Sequence, residues 1–157
     1  YLGAKGSFAN QLSVITKKLE KIILKEKPTK FIVLGDTNSS LGAVIAKRLK
    51  VRVYHLEAGN RSYLKHSPEE VNRRIIDHTS DINLTYSDIA REYLLKENFP
   101  ADRIIKTGSP MFEVLEYYKK NILSIRVIQK WNLKNLLKLN YLHMNLVESV
   151  TLIKYTE

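Results

Sequence analysis

The stretch Phe31-Ile32-Val33-Leu34-Gly35-Asp36-Thr37-Asn38-Ser39-Ser40, followed by Leu41-Gly42-Ala43-Val44-Ile45-Ala46-Lys47-Arg48-Leu49 and Val51-Arg52-Val53-Tyr54-His55-Leu56, decides the fold. Four apolar residues in a row, ended by Gly35, suit a strand buried on both faces, and a parallel sheet is its natural host. Asp36 to Ser40 offers several N-cap side chains, and Leu41 to Leu49 reads as a helix with basic residues near its C-terminal end. Val51 to Leu56 supplies the second strand. Strand, tight turn, helix and strand within about thirty residues make a βαβ unit, whose crossover is right-handed.

The pattern extends in both directions. Upstream, Leu12, Ile15, Leu19, Ile22 and Ile23 recur at helical spacing between Asn10 and Glu26, and Pro28 closes that helix. Downstream, Pro68-Glu69-Glu70 opens a helix through Val71, Ile75 and Ile76, with acids where the helix dipole favours them. Asp81 to Thr85 is a short strand, Ser87-Asp88 caps a helix from Ile89 to Glu97, Arg103 to Lys106 is another strand, and Gly108-Ser109-Pro110 introduces a last helix to about Lys119. Strands alternating with helices predict an α/β fold with an open, doubly wound parallel sheet.

The chain has 157 residues, with 26 Lys and Arg against 16 Asp and Glu, 44% apolar residues and no cysteine. A disulfide scaffold and a cysteine-based zinc site are excluded, and the length allows a real core. No apolar run approaches the roughly 20 residues that span a bilayer. The start, Tyr1-Leu2-Gly3-Ala4-Lys5-Gly6, has neither a Met nor the apolar core of a signal peptide, so the chain is expected to be cytoplasmic and to lack its true beginning. The net charge of +10 is unevenly spread: residues 1–118 hold 19 basic and 14 acidic side chains, residues 119–157 hold 7 and 2.

In open α/β sheets ligands bind beyond the carboxyl ends of the strands, so the polar residues there come first. Gly35-Asp36-Thr37-Asn38-Ser39-Ser40 combines a close turn with a helix N-terminus; equally, Asp36 or Ser39 merely caps that helix. His55-Leu56-Glu57-Ala58-Gly59-Asn60-Arg61 puts Glu57 at the end of the neighbouring strand, as a site acid or as a solvated loop residue. In Ser67-Pro68-Glu69-Glu70-Val71-Asn72-Arg73-Arg74, Glu69 and Arg73 are four apart and share a helix face, which alone is the pattern of a surface ion pair. Together the clusters allow Asp36, Glu57 and Glu69 to converge in one crevice, with Arg73 holding a carboxylate or a substrate anion. Several carboxylates in a cleft let their pKa values separate, so that one donates a proton while another accepts. His55, His66 and His78 lie near this loop without metal-ligand spacing, so no metal is expected. Tyr86, Tyr93, Tyr117 and Tyr118 read as core or boundary packing.

As a set, Gly35-Asp36-Thr37-Asn38-Ser39, His55-Leu56-Glu57-Ala58-Gly59-Asn60-Arg61 and Pro68-Glu69-Glu70-Val71-Asn72-Arg73-Arg74-Ile75-Ile76-Asp77-His78 resemble, in order and spacing, the non-hydrolysing UDP-N-acetylglucosamine 2-epimerase family. The match continues through Tyr86-Ser87-Asp88, Arg103 to Pro110 and Met111-Phe112-Glu113-Val114-Leu115, covering roughly residues 10–118. The resemblance implies most of the N-terminal half of a glycosyltransferase-B-type enzyme, in which two Rossmann-like domains hold a nucleotide sugar between them. It implies an isomerase that inverts C2 of a UDP-N-acetylhexosamine by eliminating and re-adding UDP through a 2-acetamidoglucal. Asp36, Glu57 and Glu69 are then the catalytic acids and bases and Arg73 a substrate-binding residue, with no cofactor and with full-length relatives expected to be homodimers. Asn60, where the parent type more often has Leu, and Thr107-Gly108-Ser109-Pro110-Met111 look like relatives acting on modified UDP sugars for capsule or O-antigen synthesis.

Two pieces of the family pattern are expected outside this chain: a first strand with its loop before Tyr1, and a second domain after about Lys120. Residues 121–157 contain no Gly, Pro, Ala or Asp and are rich in Leu, Asn, Lys and Ile. Residues 1–118 thus read as a partial N-terminal epimerase domain, and 119–157 as a basic tail, helical or poorly ordered, that does not match the family. One reading of the tail is an amphipathic helix with Trp131, Leu133, Leu136, Leu137 and Leu139 on its apolar side; the favoured one is translation out of frame. The competing functions are an epimerase fragment inactive alone, an isolated nucleotide-sugar-binding half, and a basic protein of membrane surfaces or nucleic acid. No nucleic-acid motif and no clustering of the tail lysines supports the last.

Overall fold

The computed structural model describes residues 3–123 and 150–153. Residues up to Gly108, together with the strand at 150–153, form one compact unit, and the helix that follows Pro110 belongs to a second. Helix α1 (Phe8–Glu26) is capped by Ser7, whose hydroxyl accepts from the Asn10 amide at 3.4 Å. Strand β1 (Lys30–Leu34) follows, then a 3₁₀ turn (Asn38–Gly42) leading into α2 (Ala43–Arg48), β2 (Arg52–Leu56), α3 (Pro68–Thr79), β3 (Ile82–Thr85), α4 (Asp88–Lys96) and β4 (Ile104–Lys106). The four strands are parallel and neighbours in chain order, so the predicted α/β architecture with a parallel sheet is present. On the far edge of β1 a fifth strand, β5 (Val150–Ile153), pairs antiparallel. The helix considered for Trp131 to Leu139 lies outside the described residues. Helix α5 (Met111–Leu123), in the second unit, starts directly after the Gly108-Ser109-Pro110 signal and leaves Tyr117 and Tyr118 exposed, in edge contact at 4.8 Å.

One face of the sheet carries the core. Val33 pairs with His55, His55 with Asn83 and Asn83 with Ile104, which makes a row of four buried residues across the strands. Phe31 and Val53 form the row below, and Leu19 and Ile23 of α1, Ala43 and Ala46 of α2 and Ile76 of α3 pack over these positions. Leu94 of α4 closes on Ile104 and Ala58. Burial of each such aliphatic or aromatic side chain contributes about 1.5–3 kcal/mol. The expectation that β1 is buried on both faces holds for one face only: Phe31 and Val33 are fully buried, whereas Lys30, Ile32 and Leu34 are half-buried.

The second helix is shorter than expected, because residues 38–42 tighten into a 3₁₀ turn instead of opening an α-helix. Neither Asp36 nor Ser39 caps it: Ser40 Oγ turns back to the Leu34 carbonyl at 3.3 Å, and Thr37 and Ser39 hydroxyls bond to each other at 2.8 Å. Gly59 is fixed more rigidly. Its φ is +78°, and a Cβ there would run into the Ala90 carbonyl and the Leu94 side chain, so the loop after β2 packs backbone against α4. Gly108 shares the left-handed conformation, at φ +75°, but faces open space. Gly59→Ala should therefore cost about 3 kcal/mol and Gly108→Ala about 1 kcal/mol in urea unfolding. Equal losses would refute the steric account of Gly59.

Candidate active site

The carboxyl ends of β1 and β2 set the site. Gly35, at φ +70°, turns the chain after β1, and its N–H bonds to the Leu56 carbonyl at 3.0 Å. Asp36 follows and is nearly buried. Glu57 follows β2 in a left-handed conformation, φ +68°, rare for a residue with a Cβ. Arg73, on the inner face of α3, joins the two: Nη2 donates to Asp36 Oδ2, Nη1 donates to the Glu57 carbonyl at 2.5 Å, and the Glu57 carboxylate lies 3.8 Å from Nη2. Asn72 beside it donates to the Asp36 carbonyl at 2.9 Å and to Asn38 Oδ1 at 3.1 Å, and Asn38 in turn donates to Gln11 on α1. The turn after β1 is thus held through both main chain and side chain.

Beneath this pair lies a buried ionic network that the sequence reading passed over. His55 is fully buried, with Nδ1 2.7 Å from Asp77 Oδ1 and Nε2 3.0 Å from the Gly35 carbonyl. Burial pushes the Asp77 carboxyl up, but the His55 hydrogen bond and the charges of His55 and Arg61 outweigh it and hold the group below the usual carboxylate range. Both ring nitrogens face oxygen atoms, the Asp77 carboxylate and the Gly35 carbonyl, so neither is open to a metal. Asp77 also accepts from Arg61 Nη1 at 2.7 Å and from the Gly59 amide at 3.3 Å. Arg61 grips Glu97, at the C-cap of α4, bidentately, Nε to Oε1 at 2.7 Å and Nη2 to Oε2 at 2.6 Å. The Arg61 bond in turn holds Glu97 low, against a smaller upward push from burial.

The four residues expected to form the site are not equally engaged. Asp36, Glu57 and Arg73 are brought together. Glu69 is exposed in the first turn of α3, and its carboxylate makes no hydrogen bond or ion pair among the described residues. Its expected partnership with Arg73 does not form, because Arg73 turns inward to Asp36; the i,i+4 pair of this helix is Glu70 with Arg74, at 2.8 Å. Glu70 is the buried acid of the pair, and it also accepts the Ser62 amide at 2.9 Å, which ties the loop after β2 to the start of α3. Asn60 donates to the Glu57 carboxylate at 3.4 Å, a contact that a Leu there would lack. Tyr86, read as packing, sits half-buried at the end of β3 where the charges of Glu57 and Arg73 reach it. The loop from Tyr63 to Ser67, next to Glu69, lines a surface depression of about 460 Å³.

Two acids leaving adjacent parallel strands, joined by a buried arginine and backed by a buried ionic network, form a polar cluster at the carboxyl edge of a Rossmann-like sheet, where open α/β sheets bind ligands. Comparison with known proteins makes this specific. The sequence profile of the UDP-N-acetylglucosamine 2-epimerases matches residues 3–146, and the chain belongs to that family. The solved UDP-N-acetylglucosamine 2-epimerase from Rickettsia bellii superposes with a TM-score of 0.76 at 41% identity, over 83% of this chain and 35% of that one. The Methanocaldococcus jannaschii UDP-GlcNAc 2-epimerase, crystallised with UDP-GlcNAc and UDP, gives 0.74 at 34% identity, over 81% of this chain and 35% of that one. A UDP-2,3-diacetamido-2,3-dideoxy-D-glucuronate 2-epimerase from Pseudomonas aeruginosa is 39% identical over 109 residues, which is 68% of this chain and 31% of that protein. The chain thus spans about a third of the length of the relatives it matches. No helix among the described residues is long and apolar enough to cross a membrane.

Because Asp77 is depressed when folded, its contribution to stability is present above the unfolded carboxylate value of about 4 and is lost as pH falls through the lower folded value. Asp77→Asn should cost about 3 kcal/mol at pH 7, where the wild-type ion pair is intact. Urea unfolding repeated below pH 4 should show the two chains converging, and a gap that does not narrow with acid would remove Asp77 as the source of the pH dependence.

Proposed function

We propose that this chain is the N-terminal part of a UDP-N-acetylhexosamine 2-epimerase, with residues 1–118 as the partial domain carrying the acid and base groups. One observation carries the reading: a single buried arginine holds Asp36 and the backbone of Glu57 together at the ends of adjacent strands. In this reading a carboxylate takes the C2 proton, the C2 electron pair forms the C1–C2 double bond, and the C1–O bond breaks to release UDP. UDP then re-adds at C1 of the 2-acetamidoglucal while C2 receives a proton on the opposite face. Acids on separate loops suit such chemistry, because the two faces of one carbon must each be met by a proton donor or acceptor. Asp36 and Glu57 come from the sheet edge, and Glu69 from the first turn of α3, where its carboxylate is unencumbered. Arg73 keeps the two sheet-edge acids in register at the rim of the substrate. That the M. jannaschii relative was crystallised with UDP-GlcNAc and UDP supports the substrate class. The match to the diacetamido-glucuronate epimerase, with Asn60 against Glu57, supports a modified sugar destined for capsule or O-antigen synthesis. The full-length enzyme is on this reading a cytoplasmic homodimer.

The chain alone should be inactive, since stabilising the transition state needs both walls of a two-domain cleft. Incubated with UDP-N-acetylglucosamine in D2O, it should leave the C2 proton unexchanged by NMR; appreciable deuterium incorporation would overturn this. In a full-length protein carrying this segment, Asp36→Asn, Glu57→Gln and Glu69→Gln should each lower kcat at least about 100-fold. A near-normal rate would remove that residue from the reaction.

A further inference from the structure

Tyr86 leaves β3 beside the residues that hold the site. β2 and β3 run parallel with Leu56 opposite Leu84, and the Ala58 amide bonds to the Leu84 carbonyl at 3.1 Å. The chain therefore emerges from the two strands side by side, with Glu57 on one and Tyr86 on the other. Thr85 is clamped below by the Thr107 amide, at 2.9 Å from its carbonyl, and Ser87 above caps α4 by accepting the Ala90 amide at 3.1 Å. The backbone on both sides of Tyr86 is thereby fixed. Its ring is half-buried, yet its hydroxyl makes no hydrogen bond among the described residues.

Burial raises the Tyr86 phenol first, the Glu57 carboxylate raises it further and Arg73 pulls it back, leaving it at about 12. At neutral pH the hydroxyl thus keeps its proton. A neutral donor, anchored next to Glu57 and Arg73 and without a partner among the described residues, is suited to an uncharged oxygen acceptor and unsuited to releasing its own proton. A sugar ring, dense in such oxygens, is the matching ligand chemistry.

We propose that Tyr86 is a substrate-contacting residue, its hydroxyl donating a hydrogen bond to an oxygen of the hexosamine held at Asp36 and Glu57. The proposal rests on the epimerase reading above and adds to it a group on a third strand. It also separates two parts of the ligand, because the contact is to the sugar and not to the nucleotide.

The test uses the whole chain and its Tyr86→Phe variant, titrated by NMR with UDP-N-acetylglucosamine and, separately, with UDP. The expected result is a roughly 5- to 10-fold weaker affinity of the variant for the nucleotide sugar, the size of one neutral hydrogen bond, with affinity for UDP unchanged. The urea midpoint should also be unchanged, since the hydroxyl has no partner among the described residues; a marked drop would assign Tyr86 a structural role and overturn the proposal. Equal affinities of the two chains for UDP-N-acetylglucosamine, or equal losses for both ligands, would overturn it while leaving the epimerase reading intact. A wild-type chain that binds UDP but gains nothing from the sugar overturns it too. A wild-type chain that binds neither would instead remove the reading on which it rests.

Discussion

The Asp77 carboxylate meets, in one buried place, the imidazole of His55 on β2, the guanidinium of Arg61 and the amide of Gly59 in the loop beyond. Through His55 it also reaches the Gly35 carbonyl at the end of β1. A lone carboxylate in such a position would cost several kcal/mol and would protonate instead. It is tolerated because the Arg61 guanidinium, the His55 ring and a backbone donor face it, and Arg61 is in turn clamped by Glu97. The consequence is geometric. Neutralising Asp77 requires the end of β1, the loop after β2 and helix α3 to sit where they do, and those are the segments that carry Asp36, Glu57 and Arg73.

The same arrangement explains why a strained residue is affordable at Glu57. A left-handed non-glycine residue costs on the order of 1–3 kcal/mol and persists only where its surroundings over-determine it. Here the Glu57 carbonyl is taken by Arg73, the next amide is taken by the Leu84 carbonyl, and Gly59 is pressed onto α4 two residues later. The turn therefore aims the Glu57 side chain toward Arg73 and Asp36 instead of continuing the strand. On the proposed reading, with Glu57 an acid or base, this is the preorganisation it needs before substrate arrives, since reorienting it during the reaction would add to the barrier.

Helix α1 was legible in the sequence because its burial follows apolar periodicity, Ile15, Leu19 and Ile23 along one stripe, and β1 because four apolar residues run together, although only Phe31 and Val33 turn fully inward. Helix α3 breaks that rule. Its start was readable from Ser67-Pro68-Glu69-Glu70, yet Val71 and Ile75 face solvent while Glu70, Asn72, Arg73 and Asp77 are buried with Ile76. Local pattern reading assigns charged residues to the surface, and it paired Arg73 with Glu69 by spacing. The actual partner, Asp36, is 37 residues away in sequence, and only the packing of α3 over the strand ends brings it near. The motifs located the right segments, while the direction each side chain takes was decided by contacts between segments. His55 and Tyr86 were passed over for the same reason, because nothing in their immediate neighbours reports Asp77 or Glu57.

The arginines of this edge bear on which part of the substrate it would hold on the proposed reading. A UDP-linked sugar brings a pyrophosphate whose charge calls for cations or helix N-termini. Arg61 is committed to Asp77 and Glu97, Arg73 to Asp36 and the Glu57 carbonyl, and Arg74 to Glu70 and Glu97. Each positive charge is matched by carboxylates of the protein, and an anionic diphosphate approaching Asp36 and Glu57 would meet like charge. An uncharged sugar meets no such penalty and finds acceptors and donors suited to its hydroxyls. On the proposed reading the described edge is the sugar end of the cleft, which is where acids meant for C2 belong.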